Sequence, residues 1–153
     1  MQCSEPIVGH TRPIPFSVTP AVREQIRQMM GDNVLEISTS SHVNPLTTVL
    51  RDGKARRISV EARKVNRYTL PDIARVPHIR GLSQQFHGPR FITSIDLSSA
   101  FLQIGLKKES RQYTLFDSQS YQFTRSPYGF RNSLPTFART LQLTLGPICM
   151  TMR

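Results

Sequence analysis

The chain has 153 residues, with 20 Lys and Arg against 10 Asp and Glu, which gives a formal net charge of +10. This length fits one domain of about 100–200 residues, and the excess of basic residues favours an anionic partner such as nucleic acid. No run approaches the ~18 apolar residues of a membrane-spanning helix, and the N-terminus lacks a secretory signal. Cys3 and Cys149 match no zinc or redox spacing, so we expect an intracellular protein without a disulfide framework.

The first part of the chain predicts an extended lead-in, one helix and one hairpin. Residues 1–17 are rich in proline and are expected to be extended. We expect Thr19 to cap a helix that has proline at its first position, and we expect Gly31 to end that helix. Strands at 47–50 and 57–60, joined by an Asp-Gly turn, predict a hairpin.

The rest of the chain alternates further helices and strands. The predicted elements are a helix at about 79–86, a strand at 91–96, a hairpin of 113–116 with 121–125, and a helix from Ser133 that stops at Gly146-Pro147. Because helices and strands are interleaved, the predicted fold class is α+β.

A basic hairpin is the first candidate site. Residues 51–67 carry seven basic side chains against Asp52 and Glu61, a net charge of +5. Such a tip could hold the phosphates of a nucleotide or of a nucleic-acid strand. On composition alone, a solvated basic face is as good an explanation.

Two further candidates lie later in the chain. Asp96 ends the predicted strand at 91–96, where a carboxylate and nearby carbonyls could hold Mg²⁺. In Ser126–Asn132, Gly129 permits close backbone approach and the flanking aromatic rings could stack on bases. Taken singly, a turn aspartate and an ordinary Pro-Gly turn remain the simpler explanations.

In this order, the segments resemble the reverse transcriptase of gypsy-type LTR retrotransposons. The resemblance extends from about His10 to Pro147. It rests on these segments: His10–Pro15, Asn33–Glu36 through Asn44–Leu46, Asp52–Lys54, Arg57–Asn66, Phe91–Ile104 and Pro127–Ser133.

The resemblance implies a nucleotidyl transfer chemistry that uses two Mg²⁺ ions to extend a DNA primer on an RNA or DNA template. It assigns Asp96 as the catalytic metal ligand, with the backbone carbonyl of Leu97. It implies that Phe101 packs under the sugar and rejects a 2′-hydroxyl. The residues implied in dNTP binding are Arg51, Lys54, Arg57, Phe101, Tyr128 and Gly129, and those implied in template binding are Arg56, Arg63 and Asn66. One residue is inserted around Ala55-Arg56, so the triphosphate contact stays open between Arg56 and Arg57.

The resemblance also implies a partial right-hand polymerase fold with an incomplete palm sheet. The expected regions are a lead-in at 1–17, fingers at 18–90, a palm strand region at 91–117, the second hairpin, loop and helix at 118–147, and a tail at 148–153. The expected partners are template-primer, dNTP and the remainder of the Pol polyprotein, namely the rest of the palm, the thumb and ribonuclease H, with no membrane partner.

Three departures from the family pattern bear on activity. Glu61 stands where an Asp is usual, Ile37 stands where a Pro is usual, and no Tyr-x-Asp-Asp precedes Arg153. One carboxylate cannot hold two dications against a triphosphate, so we expect no polymerase activity from residues 1–153 alone. The alternatives to a polymerase fragment are an inactive basic nucleic-acid-binding remnant and a poorly folded product of a decayed element.

Overall fold

The computed structural model describes residues 5–10, 13–51, 54–73, 93–116 and 121–151, with only the backbone described at 49–51, 54–56 and 147–151. In chain order the elements are the 3₁₀ helix η1 (Phe16–Val18), α1 (Thr19–Gly31), β1 (Leu35–Ile37), β2 (Leu46–Arg51), β3 (Lys54–Val60), α2 (Arg63–Tyr68), η2 (Ala100–Gln103), α3 (Lys108–Arg111), η3 (Gln112–Thr114), β4 (Tyr121–Phe123) and α4 (Ser133–Thr151). The predicted α+β class is confirmed.

Two antiparallel strand pairs organise the described chain. Strands β2 and β3 form the predicted hairpin, and β1 pairs with β4 across a long stretch of sequence, with Leu35 opposite Phe123. Within the hairpin Val49 pairs with Arg57 and Leu50 pairs with Ala55, which leaves Arg56 as the extra residue of a β-bulge. The bulge coincides with the insertion inferred from the sequence.

The hydrophobic core lies between α1, the hairpin and the β1–β4 pair. Its buried members are Val22, Ile26, Leu35, Leu46, Ile58, Val60, Phe116 and Phe123. Helix α1 contributes Val22 and Ile26, one turn apart, and β3 contributes Ile58 and Val60, two residues apart, as the periods of the two structures require. This burial fixes which face of β3 points outward.

Several predicted elements differ from the structure in the first half of the chain. Helix α1 begins at Thr19 itself, so the hydroxyl of Thr19 donates to the Pro15 carbonyl at 3.2 Å instead of capping the helix. The basic segment does not stay extended, because residues 63–68 form α2 with Val65 buried against the core side. Strand β1 was not predicted, since three residues give too short an alternation to recognise.

The second half of the chain shows three corrections. Residues 93–96 are not a strand, because none of Thr93–Leu97 makes a backbone hydrogen bond to another described residue, and a strand requires a paired neighbour. Residues 112–114 form η3, although the predicted reversal is present in the bridge between Phe116 and Tyr121. Helix α4 continues to Thr151, because proline removes one hydrogen bond and weakens a helix without forcing it to end.

The helix predicted at 79–86 lies outside the described residues, and the predicted domain boundaries stay predictions. Among the helices that the structure does describe, none combines the length and apolar character needed to cross a membrane.

The N-terminal strap, residues 5–10, is attached through a buried histidine. The Ile7 N–H donates to His42 Nδ1 at 3.0 Å, and Val43 N–H donates to the Ile7 carbonyl at 2.9 Å. The His42 ring also lies 4.7 Å from the ring of Tyr113. Burial lowers the pKa of His42 from its ordinary value of 6.5, because the charged imidazolium would lose hydration.

Acid should therefore destabilise the fold through His42. The folded state binds this proton less readily than the unfolded chain, so the free energy of unfolding should fall as the pH drops below about 6.5 and should continue to fall until the lowered pKa is passed. Urea denaturation at pH 7.5 and 5.5 measures this loss. His42→Gln should flatten the pH dependence, whereas the exposed His10→Gln should leave it unchanged.

The core itself predicts a large difference between two phenylalanines. Phe116 is 0% exposed and Phe16 is 94% exposed. Phe116→Ala should reduce the free energy of unfolding by about 3–5 kcal/mol, the usual cost of removing a buried aromatic ring. Phe16→Ala should change it by less than about 0.5 kcal/mol. Equal midpoints of urea denaturation for the two variants would contradict this core assignment.

Candidate functional site

An arginine on β3 lies over a tyrosine of the loop at residues 127–132. The guanidinium carbon of Arg57 is 4.3 Å from the centre of the Tyr128 ring, within the range of a cation–π contact. Alternation along β3 explains the position, because Ile58 and Val60 enter the core and Arg57 therefore points outward. The guanidinium is exposed and, within the described ranges, forms no ion pair.

A second aromatic ring continues this contact. The Phe101 ring is 5.3 Å from Tyr128 and 5.6 Å from Phe137 of α4, so the three rings form a row. Ser99 directly precedes η2 and adopts the left-handed conformation, with a φ of 48°. This angle turns the chain just before Phe101, toward the three rings. The structure thus brings together Arg57, Tyr128 and Phe101, which the sequence had assigned to one ligand.

Gly129 lets the loop lie directly on the hairpin. Its φ is +96°, and a Cβ at this position would lie 2.5 Å from the carbonyl oxygen of Val60. The Ser59 hydroxyl adds a long hydrogen bond of 3.5 Å to the Tyr128 carbonyl. A residue with a side chain could satisfy neither the backbone angle nor the space.

A cleft of about 430 Å³ opens beside Arg57 and Tyr128. Its polar lining residues are Gln25, Gln28, Asp32, Arg57, Ser99, Gln103 and Tyr128. The cleft therefore offers the Arg57 guanidinium, the Asp32 carboxylate, three glutamine amides and two hydroxyls around an open volume. Arg57 and Tyr128 suit an anionic group with an attached ring, whereas the Asp32 carboxylate suits a hydrogen-bond donor or a cation.

The predicted metal ligand lies in the segment before η2. Asp96 and Leu97 are exposed, and Asp96 forms no ion pair or hydrogen bond with any other described residue. A carboxylate and a peptide carbonyl are the oxygen ligands that Mg²⁺ prefers, so these two groups fit part of a site. Within the described part of the chain, no three His, Cys, Asp or Glu residues come together as a metal cluster.

Of the residues assigned to the template, Arg63 and Asn66 lie on α2 and Arg56 lies near the start of β3. Arg63 forms an ion pair with Glu61 at 2.6 Å. Asn66 donates to the Gly129 carbonyl at 2.9 Å and accepts from the Arg131 N–H at 2.9 Å. The side chains of Arg51, Lys54 and Arg56 lie outside the description, so their assignments stay predictions.

Sequence reasoning missed four residues that shape this site. They are Ser59, Ser99, Asn132 and Phe137. Phe137 lies in the helix predicted from Ser133, where nothing in the sequence marks its contact with Phe101, and no sequence signal marks a serine that adopts a left-handed angle. Asn132 belonged to a recognised motif, but its contacts with residues 70–72 are long-range and could not be read from it.

Comparison with known proteins agrees with the family resemblance that the sequence motifs show. Residues 47–150 match the reverse transcriptase (RNA-dependent DNA polymerase) family. The Pol polyprotein of transposon gypsy from Drosophila melanogaster is 29% identical over 95% of this chain, which spans 15% of that polyprotein. The enzymatic polyprotein of figwort mosaic virus is 27% identical over 86% of the chain and 21% of its own length. A solved foamy viral protease-reverse transcriptase in complex with double-stranded DNA aligns with a TM-score of 0.80 and 25% identity, over 94% of this chain and 26% of that one.

The chain therefore belongs to the reverse transcriptase family, and its helices and small antiparallel sheets form part of that fold. Within the family it is similar to the reverse transcriptase domains of gypsy-type retrotransposon Pol polyproteins. The chain spans about a sixth of the length of those polyproteins.

Replacing Gly129 by alanine should destabilise the fold at the contact between loop 127–132 and β3. Gly129→Ala should cost roughly 1–3 kcal/mol in strain, because the new Cβ meets the Val60 carbonyl at 2.5 Å and the φ is positive. Urea denaturation measures this loss. Gly146→Ala is the matched control, since no atom lies within 4 Å of its Cβ position in α4 and alanine favours a helix. If both variants unfold at the wild-type midpoint, loop 127–132 does not lie on β3 as described.

Proposed function

We propose that this chain forms the dNTP-binding and template-facing part of an RNA-directed DNA polymerase. The contact of Arg57 with Tyr128 in the lining of the cleft, with the Phe101 ring 5.3 Å from Tyr128, is the observation that carries the proposal. Here an exposed guanidinium lies over an aromatic ring and lines the cleft, so its N–H groups are available to an anionic ligand there. Charged donors of this kind bind phosphate oxygens more strongly than neutral donors do.

The aromatic row would support the rest of the nucleotide. Tyr128 and Phe101 are half-buried, so part of each residue stays accessible while the rest packs on the protein. A sugar and a base have apolar faces that gain from contact with such rings. The Phe137 ring of α4 lies 5.6 Å from the Phe101 ring and would restrain it against a bulkier sugar, as discrimination against a 2′-hydroxyl requires.

Asp96 and the carbonyl of Leu97 would hold Mg²⁺ together with oxygen ligands from the substrate. The bound ions would neutralise charge on the phosphates during transfer. The residues of this chain bind and orient the nucleotide, and the full reaction is proposed for the larger polyprotein to which such domains belong.

A basic face beside the loop would contact the template. Arg63, Arg67 and Arg131 are exposed, and the Asn66 hydrogen bonds hold α2 next to Arg131. Positive side chains on one face release counterions when they bind a nucleic-acid backbone. We propose template-primer and dNTP as ligands, the remainder of the polyprotein as the partner, and an intracellular location.

The proposal predicts a specific loss when Arg57 is removed. Arg57→Ala should weaken dNTP binding to the chain by about tenfold, since a charged hydrogen bond contributes about 1.5–3 kcal/mol. Titration calorimetry with a dNTP and Mg²⁺ measures the affinity.

Arg23→Ala is the matched control, because Arg23 is exposed on α1 and its loss changes the net charge equally. Equal affinities for the two variants would show that only net charge matters and would contradict the proposed site. Salt-dependent RNA binding without dNTP binding would instead support the basic nucleic-acid-binding remnant.

A further inference from the structure

The amide of Asn66 spans one residue of loop 127–132. Its Nδ2 donates to the Gly129 carbonyl at 2.9 Å, and its Oδ1 accepts from the Arg131 N–H at 2.9 Å. The two peptide groups that flank Phe130 are thus both bound by one side chain. An asparagine amide carries one donor group and one acceptor, so it can replace a neighbouring backbone strand in this way.

Asn132 makes the same kind of paired hydrogen bonds, but from the loop to the segment after α2. Its Nδ2 donates to the Leu70 carbonyl at 2.8 Å, and its Oδ1 accepts from the Asp72 N–H at 3.1 Å. Asn66 therefore reaches from α2 to the loop, and Asn132 reaches from the loop to the segment after α2. We name these four hydrogen bonds the asparagine clamp.

The asparagine clamp holds the part of the loop that has no regular secondary structure. The only other side-chain bond to Tyr128 or Gly129 recorded among the described residues is the 3.5 Å bond from Ser59. Phe130 packs on the core, which fixes the depth of the loop but not the direction of the backbone at Gly129. Two bonds of 2.9 Å on either side of Phe130 do fix that direction.

We propose that Asn66 is a positioning residue that sets loop 127–132 so that the Tyr128 ring lies under Arg57. This inference rests on the proposed function for its consequence in dNTP binding, but its geometry can be tested without a ligand. The Gly129 carbonyl directly follows Tyr128, so a loss of its donor frees the backbone next to the ring. Asn132 holds the residues after α2 and touches neither Tyr128 nor Gly129.

The experiment compares Asn66→Ala, Asn66→Asp and Asn132→Ala in the full chain. Nuclear magnetic resonance gives the hydrogen-exchange rates of the Arg131 and Asp72 amides and the ring-current shift of the Arg57 side-chain protons over Tyr128. Titration with a dNTP and Mg²⁺ gives the affinity of each variant. Asn66→Asp keeps the acceptor for Arg131 and loses the donor to Gly129. This variant therefore tests the donor alone, and it still gives a result if Asn66→Ala fails to fold.

Asn66→Ala should expose the Arg131 amide to exchange, remove the ring-current shift of Arg57 and weaken dNTP binding by about fivefold, the effect of one or two lost hydrogen bonds. Asn66→Asp should keep the Arg131 amide protected and still lose the ring-current shift. Asn132→Ala should expose only the Asp72 amide, because the ion pair of Asp72 with Arg139 at 2.6 Å still holds that segment.

An unchanged Arg57 shift in both Asn66 variants would overturn the proposal, whatever the dNTP affinity. A lost shift with unchanged dNTP affinity would restrict Asn66 to a structural role and would also overturn it. If the wild-type chain binds no dNTP, the proposed function fails, and the Arg57 shift alone decides whether Asn66 positions Tyr128.

Discussion

The passage of loop 127–132 over the end of β3 is the contact on which the site depends. Gly129 lies against the Val60 carbonyl with no room for a side chain, and the residue before it, Tyr128, lies beside Arg57. Val60 is itself a core residue, so the position of the loop is tied to the packing of the hairpin on α1. The packed core makes this region rigid, and the hydrogen bonds of the loop set the direction of its backbone.

A second long-range contact forms the other wall of the cleft. The pairing of β1 with β4 joins residues 35–37 to 121–123, and Thr124 also donates its N–H to the Val34 carbonyl. This pairing holds the C-terminal part of α1. Gln25, Gln28 and the following Asp32 line the same cleft as Arg57. A cleft made by α1, β3, η2 and one loop therefore needs both strand pairs, although each pair is small.

The predictions that succeeded depend on local signals. The hairpin at β2 and β3 and the start of α4 at Ser133 follow from turn residues and apolar spacing, and the inserted residue around Ala55-Arg56 follows from motif spacing and coincides with the bulge. The strand expected at 91–96 was wrong for residues 93–96, because β-branched composition measures only a tendency and pairing requires neighbours. Helix α2 was missed since six residues, three of them charged, show little periodicity.

By itself the sequence determined the family, the α+β class and the residue types of the candidate site, because motif order and spacing are properties of the chain alone. It also placed Arg57 and Tyr128 in one ligand's reach, through the resemblance. Only the tertiary structure decided that Arg57 lies on the Tyr128 ring and that Asn66 and Asn132 bind each other's backbone segments. These contacts join residues 60 or more positions apart, and their geometry is set by the packing of the core beneath them.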